Sequence, residues 1–541
     1  MFCYQCEQAL QVKGGQASQS RGCTTAGNCA KDGKTGVLHD LLLRATIEMS
    51  AHAHRARQQG KADPELDRAM LQALISTATN VNFDPARLKA MVRDMADQGE
   101  RARLLCEAGG EQLGAPDPDA FIGQAYDAGI RARLQRLGPD VTGLQELLTY
   151  GVKGAAANAE HARLLGQEDQ AVYAFLHEAL AYVGRPDPSA DELLDLCLRC
   201  GQVNLTAMEL LDVGYTGAYG HPTPTAVRLE PLKGKAILVS GHDLEDLRAL
   251  LQQTAGKGVN VYTHGEMLPA HGYPGLKEHP HLAGNYGGAW QDQVKEFEAF
   301  PGAILVTTSC MQPPKGSCKE RIFTSGLVAS PGVRHIPDRD FSPVVEAALA
   351  APGFSEDGGD RTILVGYGRR AVLSLADEVV EALRSGALRR LFVIAGCDGA
   401  RTCRSYYTEL AQAIPRDCVI LTLACGKYRF NRLDFGDIGG IPRLLDVGQS
   451  NDIYAAIQFA AALAKGLGTD VNALPLSFVL SWFEQKAIAM LLTLLSLGVK
   501  NVWLGPTLPA FITPAVLEGL AEKFAIKPIS TPQEDLKAIF A

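Results

Sequence analysis

The chain has little of what would direct it to nucleic acid or into a membrane. Its 541 residues carry 52 Lys and Arg against 60 Asp and Glu, a net charge of −8. No basic excess is left to neutralise phosphates, which argues against nucleic acid as a partner. Long apolar runs are absent. The best, Ala487 to Leu497, is about half of the roughly 20 residues that a membrane helix needs. The opening Met-Phe-Cys-Tyr-Gln-Cys has no basic start, apolar stretch or cleavage site, so a cytoplasmic location is expected. No Gly-x-Gly-x-x-Gly opens an α/β region, which argues against a nicotinamide or flavin bound in the usual way.

Cysteine, by contrast, is plentiful. Thirteen thiols in a large chain without an export signal point to metal ligands, catalytic groups or buried filler more than to disulfides. Cys3 and Cys6 are followed by Cys23 and Cys29, a C-x2-C-x16-C-x5-C pattern with Gly14, Gly15, Gly22 and Gly27 available for turns. Four thiolates in two close pairs suit zinc or an iron–sulfur cluster, and the local spacing does not choose between them. Residues 36–215 read as helices. Leu38, Leu41, Leu42, Ala45 and Met49 form one apolar stripe, a second helix covers Ala171–Val183, and Ser189-Ala-Asp-Glu192 reads as a capping box for a third. Cys197 and Cys200 share the apolar stripe of that helix and read as core thiols, as does Cys106 on another helical segment. His52 and His54 are expected on different faces and solvated.

At about 150 residues per domain, a chain of this length holds three or four. The linker Gly217 to Thr225 ends the helical pattern, after which strands and helices alternate: strands at 236–240, 258–263 and 303–308, with a helix at 244–254. A Gly/Asp-rich break at Pro352–Asp360 precedes a second series, with strands near 362–366, 391–395, 419–424 and 501–505. This is the βαβ signature of parallel sheets. The expected architecture is multidomain α plus α/β: an N-terminal Cys segment and helical bundle (1–222), then two Rossmann-like doubly wound domains (223–358 and 359–541).

Ligands of open α/β sheets lie beyond the carboxyl ends of strands. Potential metal ligands recur at that position: His242, Glu266, Cys310, Cys397 and Cys425 each follow an apolar strand, and Glu484 opens a helix in Ser481-Trp-Phe-Glu-Gln-Lys486. Thiolates alone suit ordinary iron–sulfur cubanes, whereas carboxylate and imidazole suit oxygen-bridged or open-site iron. A mixed set points to a cluster containing both sulfur and oxygen, with an iron open to a small substrate.

Long stretches of the chain resemble one family. They are Met1-Phe-Cys-Tyr-Gln-Cys6, Gly241-His-Asp-Leu244, His264-Gly-Glu-Met-Leu-Pro-Ala-His-Gly-Tyr-Pro274, Thr307-Thr-Ser-Cys-Met-Gln-Pro-Pro314, Ala395-Gly-Cys-Asp398, Ala424-Cys-Gly-Lys-Tyr-Arg-Phe-Asn431, Leu433-Asp-Phe-Gly-Asp-Ile-Gly-Gly-Ile-Pro442 and Ser481-Trp-Phe-Glu-Gln-Lys486. The sequence resembles the hybrid-cluster (prismane) proteins, also called hydroxylamine reductases. The resemblance implies a first iron–sulfur cluster on Cys3, Cys6, Cys23 and Cys29. It implies a second, hybrid 4Fe-2S-2O cluster on His242, Glu266, Cys310, Cys397, Cys425 and Glu484, with a persulfide on Cys397 and Lys486 beside the cluster. The implied activity is two-electron reduction of hydroxylamine to ammonia and water, with electrons from a partner reductase; nitric oxide reduction and protein nitrosylation are further implied roles. Glu266 or Glu484 would shift to admit substrate, and Lys486 would protonate the leaving oxygen. The chain departs from the family twice. The middle N-terminal spacing is longer than in either the four-iron or the two-iron form, although the final x5 resembles the four-iron form (4Fe-4S rather than 2Fe-2S). In Asp446-Val-Gly-Gln-Ser-Asn-Asp452 the position of a cysteine ligand is Ser450, a harder oxygen donor. Two other readings are a cluster-bearing nitric oxide sensor or nitrosylation factor with weak turnover, and a carbon monoxide dehydrogenase-like enzyme. The carboxylates at ligand positions argue against the second, because nickel–sulfur sites prefer thiolates.

Overall fold

The computed structural model describes the chain except residues 14–15, 28, 107–128, 309 and 400–404, and describes side chains outside 10–21 and 317. Gly14 and Gly15 of the expected turns lie outside the described residues. The first third is helical, after a short ribbon of β1 (Leu10–Lys13) and β2 (Gln16–Arg21). The helices are α1 (Gly33–Gln58), α2 (Pro64–Ser76), α3 (Pro85–Leu105), α4 (Ile130–Leu164), α5 (Gln170–Val183) and α6 (Ala190–Tyr219). Sequence punctuation sets several starts: Asp32, Asp63, Asp84, Asp169 and Ser189 each accept a backbone N–H of the first turn, satisfying donors that a helix leaves open. The expected stripe Leu38, Leu41, Leu42, Ala45 and Met49 is buried, as are Cys106, Cys197 and Cys200. His52 departs from expectation. It is buried, with Arg55 Nη2 3.0 Å from its Nδ1, because α3 packs along this side of α1. The linker also begins later than its composition indicates, since α6 runs through Gly217 to Tyr219.

Two six-stranded sheets follow. The first contains β4 (Lys235–Gly241), β5 (Val259–His264), β6 (Leu282–Asn285), β7 (Ala303–Thr307), β8 (Ile322–Ser325) and β9 (Arg334–Ile336) in the order β6-β5-β4-β7-β8-β9. The second contains β11 (Arg390–Gly396), β12 (Cys418–Leu423), β15 (Leu444–Gly448), β16 (Leu476–Ser481), β17 (Val502–Gly505) and β18 (Lys527–Pro528) in the order β15-β12-β11-β16-β17-β18. Every neighbouring pair in both sheets is parallel. Counting strands within each sheet, both orders are 3-2-1-4-5-6, the doubly wound arrangement whose crevice opens between strands 1 and 4. Strands covered on both faces read as unbroken apolar runs, and all six residues of β12 are buried.

The strand at 362–366 does not join the second sheet. It is β10 (Thr362–Val365), paired antiparallel with β3 (Thr225–Arg228) in a separate ribbon. Its half-exposed side chains suit an edge ribbon rather than a sheet centre. The short hairpin of β13 (Asp437–Ile438) and β14 (Ile441–Pro442) leads into β15. β15 and β16 are not among the strands expected from the sequence. Helix Gln485–Ser496 packs against α4 and α6 through a buried polar chain: Asn158 Nδ2 donates to Asn204 Oδ1, and Asn204 Nδ2 to Thr493 Oγ1, each at 2.9 Å.

Candidate metal centre

Seven strands deliver the candidate ligands. His242 follows β4, Glu266 follows β5 and Cys310 follows β7; Cys397 follows β11, Cys425 β12, Ser450 β15 and Glu484 β16. In each sheet these ends flank the switch between strands 1 and 4. The backbone turns sharply there. Positive φ occurs at Gly241, Gly265, Gly396, Ala424 and Gly448, just ahead of their ligands, and at Thr308 and Cys310. Gly241 and Gly396 admit no side chain, since a Cβ would lie 1.9 Å from Thr307 O and 1.8 Å from Ser481 O respectively. The strand ends are thus pressed against their neighbours, which aims the next residue out of the sheet.

Glu266 is the hub of the cluster. Its Oε2 lies 3.1 Å from His242 Nε2 and accepts the Ser450 backbone N–H at 2.9 Å; its Oε1 accepts the Cys397 thiol at 3.3 Å. Ligand atoms of Glu266, Cys397 and Cys425 lie within 4.8 Å of one another. Gln449 Nε2 ties two strand ends together, donating to Glu266 O at 2.8 Å and His242 O at 3.2 Å. Ser450 Oγ is buried and has no hydrogen-bond partner among the described residues, a costly state for a hydroxyl unless something engages it. Glu484 caps helix Gln485–Ser496, its Oε2 accepting the Lys486 N–H at 3.0 Å.

Burial dominates the electrostatics, and the charged neighbours correct it. Burial raises the Cys310 thiol well above its ordinary value, with Cys425 adding to the rise and Lys486 opposing it. Burial raises Glu484 too, against Lys486. For Glu266 burial pulls upward, but His242, Lys486 and the Ser450 N–H outweigh it and hold the carboxyl well below the usual range. For Lys486 burial pulls downward, and Glu266, Glu484, Cys310 and Cys397 reverse it, so the ammonium is held charged. All seven candidate ligands and Lys486 therefore occupy one neighbourhood, with a cation set among acids and thiols.

The N-terminal thiols form a second group. Cys3 and Cys23 pair as a backbone bridge, with N–H to O distances of 3.0 and 2.8 Å. Burial raises Cys6 well above its ordinary value, and Cys29, Cys3 and Cys23, close enough to be felt electrostatically, each add to the rise. This loop touches the other site's Ser481–Lys486 segment. The Glu7 N–H donates to Phe483 O at 3.0 Å, and Gln485 Nε2 donates to Gln5 O at 2.9 Å.

Similarity to known proteins extends along nearly the whole chain. The model of the Prismane/CO dehydrogenase family matches residues 1–537. The chain belongs to that family. It is 51% identical to the hydroxylamine reductase of Syntrophobacter fumaroxidans over 100% of both chains, and 51% identical to that of Rhodospirillum rubrum over 100% of this chain and 99% of the other. That of Methanocella arvoryzae is 49% identical, with both chains covered in full. Among solved structures, carbon monoxide dehydrogenase IV from Carboxydothermus hydrogenoformans aligns with a TM-score of 0.57 at 16% identity, covering 96% of this chain and 89% of that one. The Ni-free enzyme from Thermococcus sp. AM4 aligns at 0.55 and 18%, covering 96% and 87%. At such identities these two share the fold.

Within this prismane-family chain, three buried groups near the site carried no sequence signal of their own. Lys427 pairs with Asp446 and donates to Gly448 O at 2.8 Å, pinning the Cys425 loop to the Ser450 loop. His161 lines a small cavity with Cys310, Glu484 and Lys486; burial lowers it to about 3, helped by Lys486. Lys153 lines that cavity as well. Lys153 and His161 lie on α4, distant in sequence from the candidate ligands they approach, whereas Lys427 stands in Ala424-Cys-Gly-Lys-Tyr beside Cys425 and only its partner Asp446 is distant.

Proposed function

We propose that the chain is an iron–sulfur oxidoreductase that reduces hydroxylamine to ammonia and water, with nitric oxide as a further substrate and electrons from a partner reductase. The observation that carries this reading is identity near 50% over the full length to proteins named hydroxylamine reductase. The donor chemistry supports it. Glu266, Cys397 and Cys425 converge, Ser450 Oγ is buried and unpartnered among the described residues, and thiolate, imidazole and carboxylate together match a cluster of sulfur and oxygen. His242, Glu266, Cys310, Cys397, Cys425, Ser450 and Glu484 would hold the hybrid 4Fe-2S-2O cluster, with a persulfide on Cys397. Cys3, Cys6, Cys23 and Cys29 would hold a 4Fe-4S cluster. We further infer domains at 1–222, 223–358 and 359–541 and a cytoplasmic location, where reducing conditions suit thirteen cysteines.

When bound, the clusters supply electrons and a Lewis-acidic iron. The chain's own groups do the rest. Glu266, ionised and anchored by His242 and the Ser450 N–H, fixes one side of the site. Glu484, less firmly ionised, is the carboxylate suited to shift. Lys486 holds a proton for the departing oxygen. The test is anaerobic turnover with an artificial one-electron donor, following hydroxylamine loss and ammonium gain. One ammonium per two electrons is expected; iron-replete protein that makes no ammonium refutes the reading. Ser450 at a cysteine-ligand position favours the alternative of a nitric oxide sensor or nitrosylation factor, which steady turnover would eliminate.

A further inference from the structure

We propose that one face of α4 conducts protons from a cavity beside the N-terminal cysteines to the cavity beside Cys310, Glu484 and Lys486, with Lys153 as the link between the two. The proposal rests on the hydroxylamine reading, because that reaction consumes protons at a buried site. Two electrons from a one-electron donor cleave the N–O bond; one proton goes to nitrogen to complete ammonia, and one to the departing oxygen to complete water.

The route is written on the helix. Glu146, Tyr150, Lys153, Ala157 and His161 recur at helical spacing, so they share one face and span about 22 Å at 1.5 Å per residue. Glu146, Tyr150, Lys153 and His161 are 1%, 2%, 3% and 9% exposed. Such a row of ionisable groups in an interior is expensive and needs a reason. Cys3, Asp40, Glu146, Tyr150 and Lys153 line the first cavity. Lys153, Ala157, His161, Cys310, Glu484 and Lys486 line the second. Lys153 is common to both.

Its Nζ donates to Gln5 Oε1 and to Thr77 O, each at 3.3 Å, and an ammonium carries a third N–H. Burial lowers Lys153 to about 8, with Lys31 lowering it further and Glu146, Cys3 and Asp40 opposing; His39 also faces it from α1. A group near 8 both holds and releases a proton at working pH. Arg133, at 2.6 Å from Glu146, neutralises the far end of the row. Asp40, partly exposed, marks the solvent side. Lys153 gives its proton through the second cavity to the site, along a face where His161 stays a neutral imidazole that accepts at one ring nitrogen only as it donates from the other. It regains one from the Asp40 side.

The holoenzyme and its Lys153→Met and Lys153→Arg variants test this, with iron content and EPR spectra as controls for loading. Lys153→Met should lower kcat on the order of 10–100-fold at saturating hydroxylamine, leave KM in place and flatten the pH profile near 8. Lys153→Arg should not restore it, because a guanidinium keeps its proton. Wild-type kcat in Lys153→Met, or full recovery in Lys153→Arg, overturns the relay; recovery with Arg would mean that charge alone matters. A high-resolution crystal structure gives a readout independent of turnover: ordered water at Lys153 Nζ in both cavities is expected, and dry cavities overturn the proposal. Failure of wild-type turnover, with those waters present, would count against the hydroxylamine reading instead.

Discussion

Replacing Lys427 by Met tests how the two ligand loops are held. Lys427 and Asp446 are 2% and 3% exposed at their side chains, and Lys427 also donates to Gly448 O at 2.8 Å. The substitution keeps the aliphatic length and leaves a buried carboxylate unpaired, which costs about 3–5 kcal/mol. For a folding unit of 150–250 residues a kcal/mol moves the melting point by about 2–4 °C, so a drop of roughly 6–20 °C is expected. Measured on chelator-treated protein, the shift excludes metal linkage. The pH dependence has a definite sign. Burial raises the Asp446 carboxyl and Lys427 lowers it, so without Lys427 the folded-state value rises further. A carboxyl that binds its proton more tightly when folded contributes stability at low pH and loses it as pH climbs from the unfolded value, about 3.9, through the folded one. The deficit of the variant should therefore grow from pH 5 to pH 8. Adding Asp446→Asn, which keeps an acceptor for the Gly448 N–H (3.1 Å in the parent), should recover most of the loss. A deficit under about 1 kcal/mol, or one that shrinks with rising pH, would refute the claim that this pair pins the site.

Three further outcomes are expected. Ser450→Cys should raise iron occupancy or hydroxylamine turnover, since a thiol ionises far more readily than a hydroxyl; unchanged iron, EPR and rate would remove position 450 from the ligand set. Glu484→Gln retains the helix cap and removes the hard anion proposed to bind iron, so turnover should fall on the order of 10–100-fold with the melting point near that of the parent. Gly396→Ala places a Cβ 1.8 Å from Ser481 O at a φ of 100° and should cost several kcal/mol, roughly the loss of soluble protein; normal expression and melting would show that the β11–β16 junction is looser than its geometry.

Much of this protein is written locally. Apolar runs specify β4, β5, β7, β11 and β12, because a parallel strand covered on both faces has no polar side to disguise it. Capping residues such as Ser189 announce helix starts. The placement of His242, Glu266, Cys310, Cys397 and Cys425 just past those strands follows from the same runs. Other features depend on partners far along the chain. β10 has the composition of a sheet strand, and only its pairing with β3 takes it out of the second sheet. His52 is buried by α3, which a helical wheel of α1 does not contain. Ser450 and Glu484 reach the other candidate ligands because β15 and β16 complete a 3-2-1-4-5-6 order, and strand order is a property of long-range hydrogen bonding. The hub role of Glu266 and the pairing of Lys427 with Asp446 arise for the same reason: a buried charge takes its meaning from whichever opposite charge the fold brings within about 3 Å of it, since Coulomb energy depends on separation in space rather than along the chain.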